Sequence, residues 1–212
     1  MKRKIKLGYL DEDYDHRSSF FRFFNNIFDV IAWDDFGGIR TLEQLRKEID
    51  EKEIDVLAVD YKLAENGDVC YNGDEVVQML YDSKRYFPVF MVTSHVTSAL
   101  SKMDNVFLIN DKSNFFRQDN YSDIVQKIEG AVAAYHRVVE QKSKRARELE
   151  IKQMSAQGLD AQEENELLNI HLDLNAIDPL ANPIKPDMLQ TKSLKDLQEL
   201  VKNSREILKS LN

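Results

Sequence analysis

One residue in 212 is cysteine. Cys70 therefore has no partner for an intrachain disulfide and no cysteine-rich zinc site can form, the usage expected of a reducing cytoplasm. Long apolar runs are also missing. No stretch approaches the roughly 20 apolar residues that a membrane helix needs, so the sequence reads as a soluble protein. Basic charge is in short supply, with 29 Lys and Arg against 37 Asp and Glu for a net charge of −8. That balance argues against binding nucleic acid through bulk charge. The four histidines, His16, His95, His136 and His171, are scattered without metal-ligand spacing and read as ordinary surface or partly buried residues. There is no internal repeat and no low-complexity tract. The basic start Met1-Lys2-Arg3-Lys4 is followed by a short apolar run ending at Asp11 with no small-residue cleavage site, so it reads as a first strand rather than a signal peptide.

What the chain does have is 42% apolar residues, enough for one ordinary domain and an appendage. From residue 137 onward there are 12 basic and 13 acidic side chains, so nearly all of the negative charge belongs to the front part. The front part alternates short apolar runs with helical patterns. Strands are expected at Ile5 to Leu10, Phe28 to Trp33, Val56 to Val59, Val89 to Val92 and Val106 to Ile109. Between them lie a phenylalanine-rich helix with Asp13 as its cap, a helix opened by the capping box Thr41 and Gln44, and a helix carrying Val76, Val77, Met79 and Leu80. Short runs without strict alternation suit a parallel sheet covered on both faces.

From Tyr121 the pattern is wholly helical. A stripe from Ile124 to Val139 runs on outward, Gly158 is a helix stop, and Asp160 with Glu163 opens another helix. Pro179, Pro183 and Pro186 mark an irregular crossing before a last amphipathic helix from about Ser193. The one basic run, Lys142 to Arg147, reads as a solvated helix segment with Lys144 and Glu148 at pairing distance.

The chemistry collects at strand ends. Asp60 closes the apolar run Val56-Leu57-Ala58-Val59, Asp11 and Glu12 follow the first run, Thr93-Ser94 the fourth and Lys112 the fifth. Parallel sheets bind ligands beyond the carboxyl ends of their strands, where all of these fall. A carboxylate that accepts a phosphoryl group needs a divalent cation to offset anion repulsion, and cationic or hydroxyl groups to hold the transferred oxygens. Asp11, Glu12, Asp60 and the main-chain carbonyl of Lys62 suit Mg2+, Lys112 suits the phosphoryl charge, and the Thr93 hydroxyl suits another of its oxygens.

From about Lys4 to about His136 this order resembles the receiver domain of two-component response regulators. The residues that carry the resemblance are Leu10-Asp11-Glu12, Val59-Asp60-Tyr61-Lys62-Leu63, Met91-Val92-Thr93-Ser94 and Asn110-Asp111-Lys112. The resemblance implies a flavodoxin-like, five-stranded, doubly wound parallel sheet in residues 1–136, and the helical pattern beyond it gives a helical extension over 137–212 that is not standard for the family. The resemblance also implies Mg2+ as cofactor, Asp60 as phosphoacceptor, and a histidine kinase or phosphotransfer protein as donor. The expected chain is cytoplasmic and no enzyme beyond its own phosphorylation and dephosphorylation. Three positions depart from the family pattern: Ile109 stands where an aromatic switch residue is usual, Ser113 where proline follows the lysine, and Ala64 where a proline follows the acceptor. Phe107, two residues before Ile109, is on the same strand face if the strand begins at Val106.

Three functions compete. In the first, the tail carries the signal by self-association, as a homodimer, or through a protein partner. In the second, the tail binds DNA; it lacks a compact helix-turn-helix with a basic recognition helix, which disfavours nucleic acid. In the third, Leu10-Asp11-Glu12-Asp13 resembles the nucleophile motif of haloacid-dehalogenase-type phosphatases, with Asp11 rather than Asp60 modified. That family's later acidic pair has no counterpart on a strand here.

Overall fold

The structure, a computed structural model, describes residues 3–33, 36–179 and 181–184. The helix expected from Ser193 lies outside them. The chain divides into two compact units, Met1–His136 and Arg137–Asn212. Among the described residues no helix is long and apolar enough to cross a membrane.

The first unit is built on five parallel strands: β1 (Lys6–Leu10), β2 (Asp29–Ala32), β3 (Val56–Val59), β4 (Val89–Thr93) and β5 (Ile109–Asp111), ordered β2-β1-β3-β4-β5. The helices of this unit are α1 (Tyr14–Phe24), α2 (Leu42–Glu51), α3 (Gly73–Ser83), α4 (Val96–Leu100), α5 (Lys112–Phe115) and the start of α6 (Tyr121–Gln153). Side chains alternate across the sheet, as extended backbone requires. Leu7, Tyr9, Val56, Ala58 and Val92 pack on one face with Phe20 and Phe24 of α1 and Ile124 and Ile128 of α6. Leu10, Leu57, Val59 and Met91 pack on the other with Leu45, Ile49, Val76 and Leu80 of α2 and α3. Burial on both faces explains why the strands read as unbroken apolar runs. Phe20, Phe23 and Phe24 of α1 pack ring against ring with Phe115, Phe116 and Tyr121, in tilted, stacked and edge-to-face arrangements.

Local chemistry sets the helix starts. Asp13 accepts from the main-chain nitrogens of Asp15 and His16 and begins α1, and Thr41 with Gln44 forms the capping box of α2. The fifth strand differs from expectation. Residues Val106–Leu108 form a 3-10 turn, and β5 starts only at Ile109. The Asn105 side chain caps this turn by accepting from Phe107 N at 3.2 Å. Val106 and Phe107 bury little against the sheet, Phe107 being 93% exposed. Phe107 is therefore not on the strand with Ile109 and cannot stand in for the aromatic switch residue.

In the second unit, residues of α6 beyond Val139 pair with α7 (Ala161–Ile177) around Ala146, Leu149, Leu167, Ile170 and Leu174. Helix α6 ends at Gln153, ahead of the expected stop; Gly158, at φ +65°, shapes the turn, and Asp160 with Glu163 supplies the capping box of α7. The basic run spends its charge inside this unit. Lys142 pairs with Asp173 and Arg145 with Glu166, both at 2.7 Å, while Arg145 rather than Lys144 reaches Glu148.

Candidate functional site

The strand order reverses between β1 and β3, which opens a crevice at their carboxyl ends. Asp11 follows β1, Asp60 follows β3, Thr93 ends β4 and Lys112 follows β5. All four are buried: Asp11 and Thr93 are fully enclosed, Asp60 is 2% exposed and Lys112 7%. The ammonium of Lys112 lies 2.7 Å from Asp11 Oδ2 and 3.3 Å from Asp60 Oδ2. One buried cation thus bridges two buried carboxylates, and Glu12 adds a third acid to the cluster.

The two aspartates are not equivalent. Asp11 is held on every side: Oδ1 accepts from Asp13 N at 3.0 Å, Oδ2 accepts from the Tyr9 hydroxyl and pairs with Lys112, and the main-chain oxygen accepts from Arg17 Nη1 at 2.7 Å. Asp60 has Lys112 on Oδ2, but its buried Oδ1 has no hydrogen-bond partner. Glu12 Oε2 is in the same condition. Burial raises the pKa of Asp60, against the opposing pull of Lys112, with Asp11 raising it further and the Thr93 side chain favouring the ionised form. Glu12 is pushed up to about 7, chiefly by burial and then by the neighbouring charges of Asp60 and Asp11.

Carboxylate oxygens of Asp11, Glu12 and Asp60 lie within 4.8 Å of one another. A hard divalent cation takes oxygen ligands in such a cluster, and the two unpartnered buried oxygens are what it would satisfy. The acidic pocket can therefore bind a metal. The main-chain carbonyl of Lys62 accepts no hydrogen bond among the described residues, and the Lys62 side chain pairs with Glu65. Thr93 Oγ1 accepts from His95 N at 3.1 Å, which leaves the hydroxyl proton to donate.

The loop after Asp60 is organised by Asn72, whose side-chain oxygen accepts from Leu63 N and Ala64 N at 3.2 and 3.3 Å. Gly73 then opens α3 directly against the acceptor, its nitrogen donating to Tyr61 O at 2.8 Å. A β-carbon there would sit 2.2 Å from the main-chain oxygen of Asp60.

Two residues enter the site that sequence reasoning passed over. His16, taken as an ordinary surface histidine, places Nδ1 3.1 Å from Lys112 Nζ and 3.4 Å from Asp11 Oδ1. Arg17, buried between the rings of Tyr14 and Phe36, fixes the main chain of Asp11. The available signal was the cap: with Asp13 at the N-cap, the first turn of α1 folds back over the end of β1 and returns positions 16 and 17 to Asp11.

A sheet ordered 2-1-3-4-5, wound on both faces, carries the acidic pair, the buried aspartate, the threonine and the lysine on its carboxyl edge. Residues 1–136 have the receiver fold. No protein-family profile matches the chain, and no curated protein matches it. Among solved structures it is similar to the signal receiver domain of an HD-domain protein from Pseudomonas fluorescens Pf-5, at 10% identity and a TM-score of 0.49, covering 66% of this chain and 95% of that one. It is similar also to a response regulator receiver protein from Sinorhizobium medicae WSM419, at 14% identity and 0.43, covering 62% and 97%. A third is the response regulator domain of Thermotoga maritima CheB, at 18% identity and 0.44, covering 62% and 98%.

Proposed function

We propose that the chain is a phosphoacceptor receiver protein, phosphorylated on Asp60 by a histidine kinase or phosphotransfer protein with Mg2+ held by Asp11, Glu12, Asp60 and the Lys62 carbonyl. The observation that carries this reading is the contrast between the two buried aspartates: Asp11 is locked by four donors, whereas Asp60 keeps one oxygen without a partner.

An Asp60 carboxylate oxygen attacks the phosphorus of a phosphohistidine. The P–N bond breaks, the imidazole leaves with its electron pair and takes a proton from solvent, and Asp60 carries an acyl phosphate. Bound Mg2+ supplies charge to offset the repulsion between acceptor and phosphoryl group. Lys112 exchanges its contact with Asp60 Oδ2 for a phosphoryl oxygen, and the Thr93 hydroxyl donates to another. With Ile109 at the position of the usual aromatic switch and Phe107 off the strand, the output is read through protein contacts of the helical extension, by self-association or with a partner. Exposed apolar side chains in that unit, Ile151, Met154 and Leu172, support a contact surface.

Incubation with acetyl phosphate and Mg2+ followed by chemical trapping and mapping of the adduct tests the reading. Label on Asp60, lost in Asp60→Asn, is expected; label on Asp11 would replace it with the phosphatase chemistry. Beryllofluoride with Mg2+ is expected to change the oligomer size or the protection of residues beyond 136, and no change in either would refute the proposed output.

A further inference from the structure

The sheet is incomplete at its β5 edge. Strand β4 runs from Val89 to Thr93, but β5 is in register only with Met91, Val92 and Thr93. Residues 106–108 coil into their turn instead of continuing beside Val89 and Phe90. The notch this leaves opens into a cavity of about 460 Å³ at the amino ends of the strands, across the sheet from the acidic cluster at their carboxyl ends.

The walls of the cavity point to a ligand. Phe107, 93% exposed, and Tyr86, 45% exposed, both line it, so two aromatic side chains of the lining are in contact with water. Tyr86 adopts φ +70° in a tight turn closed by Phe87 N donating to Lys84 O at 2.9 Å, a conformation that favours glycine. A strained position occupied by a tyrosine at the rim of a cavity is characteristic of ligand sites. Polar side chains in the lining are few. Asn110 uses its amide N–H groups on the main-chain oxygens of Met91 and Leu108, each at 3.1 Å, which leaves its side-chain oxygen as an acceptor. Lys127, on the α6 side of the cavity, has no carboxylate partner among the described residues. A mostly apolar lining, rich in aromatic rings, with one or two convergent polar groups is the makeup of a small-molecule site.

We propose that this cavity binds a small planar apolar molecule carrying one negative charge, with the Tyr86 and Phe107 rings against its faces and Lys127 paired with its acid group. The proposal is independent of phosphorylation at Asp60. Its test uses the full chain titrated with 1-anilinonaphthalene-8-sulfonate, an aromatic sulfonate, and with N-phenyl-1-naphthylamine, which has the same rings and no charge. Saturable binding of one sulfonate per chain is expected by fluorescence. Lys127→Gln should weaken the sulfonate by about fivefold, the scale of one exposed ion pair, and leave the neutral probe unaffected. Phe107→Ala should weaken both probes without moving the thermal midpoint, because so exposed a ring buries little. Tyr86→Gly should weaken both as well, even where relief of backbone strain raises the midpoint. Absence of saturable binding would overturn the proposal, as would affinities unchanged by Lys127→Gln and Phe107→Ala.

Discussion

Gly73 and Asp60 meet main chain to main chain: a β-carbon on Gly73 would lie 2.2 Å from the Asp60 carbonyl oxygen and 3.1 Å from Tyr61 Cα. Backbone cannot yield as a flexible side chain can, so any side chain at 73 pushes the acceptor loop. Gly73→Ala is expected to cost about 1–3 kcal/mol, the usual range for overpacking, and to slow labelling of Asp60 by acetyl phosphate. Gly130 is the control. It lies on the exposed face of α6 with nothing near its missing β-carbon, so Gly130→Ala should stabilise by about 0.5–1 kcal/mol and leave labelling unchanged. Urea titrations and labelling rates on the two variants check this.

The buried Asp11, Asp60 and Lys112 group stores a conflict that mutation can release. Asp60 is enclosed with one oxygen unsatisfied and its pKa raised by burial, so the metal-free protein bears the cost of its charge. Asp60→Asn is expected to stabilise the metal-free chain by about 1–2 kcal/mol while abolishing phosphorylation. Lys112→Met acts oppositely, leaving two buried carboxylates without their shared cation, at a cost of about 3 kcal/mol. Mg2+ should recover part of that loss. Thermal denaturation of both variants with EDTA or Mg2+ reads both effects.

Much of this was legible because the site chemistry sits at strand ends, and strands buried on both faces announce themselves as short apolar runs. Val56 to Val59 begins and ends where the sequence pattern placed it, and the caps Asp13, Thr41 and Asp160 are carried by spacing alone. The fifth strand was misplaced because Val106, Phe107 and Leu108 look like a strand by composition, whereas the Asn105 cap and a lack of burial coil them. His16 escaped notice because its relevance depends on how α1 folds back over β1, which no periodicity encodes. The close approach of Gly73 to Asp60 is a three-dimensional fact that no local pattern encodes.

The acid cluster also sets a pH dependence. Glu12, pushed up to about 7, binds its proton more tightly in the folded chain than in the unfolded one, and Asp60 shifts in the same direction. For groups with raised folded pKa values, the linked stability is fully present below the unfolded pKa and is lost as pH rises through the folded value. Without divalent cation the chain should therefore be more stable at pH 5 than at pH 8. The difference from Glu12 is about 1 kcal/mol once its solvent-facing part is discounted for screening. Mg2+ competes with those protons, so its stabilisation should be largest at pH 8 and fall toward pH 5. Unfolding midpoints at the two pH values, with EDTA and with Mg2+, check the sign, and a metal-free chain that gains stability between pH 5 and 8 would contradict it.

In the second unit, ion pairs and apolar packing make different demands. Arg145 reaches Glu166 at 2.7 Å, but both side chains are 43% exposed, whereas Leu149 is 1% exposed at the centre of the small cluster formed with Leu167, Ile170 and Leu174. An exposed pair is screened by water and salt and loses side-chain entropy, so Arg145→Ala should change stability little and its effect should shrink further in 0.5 M NaCl. Leu149→Ala leaves a cavity in a core of few residues with little to collapse into it, at about 2–4 kcal/mol. Hydrogen exchange of residues 140–177 separates the two: protection should drop across both helices in Leu149→Ala and stay near wild type in Arg145→Ala. The opposite ranking would mean that the charged ladder, rather than the leucine seam, holds α7 in place.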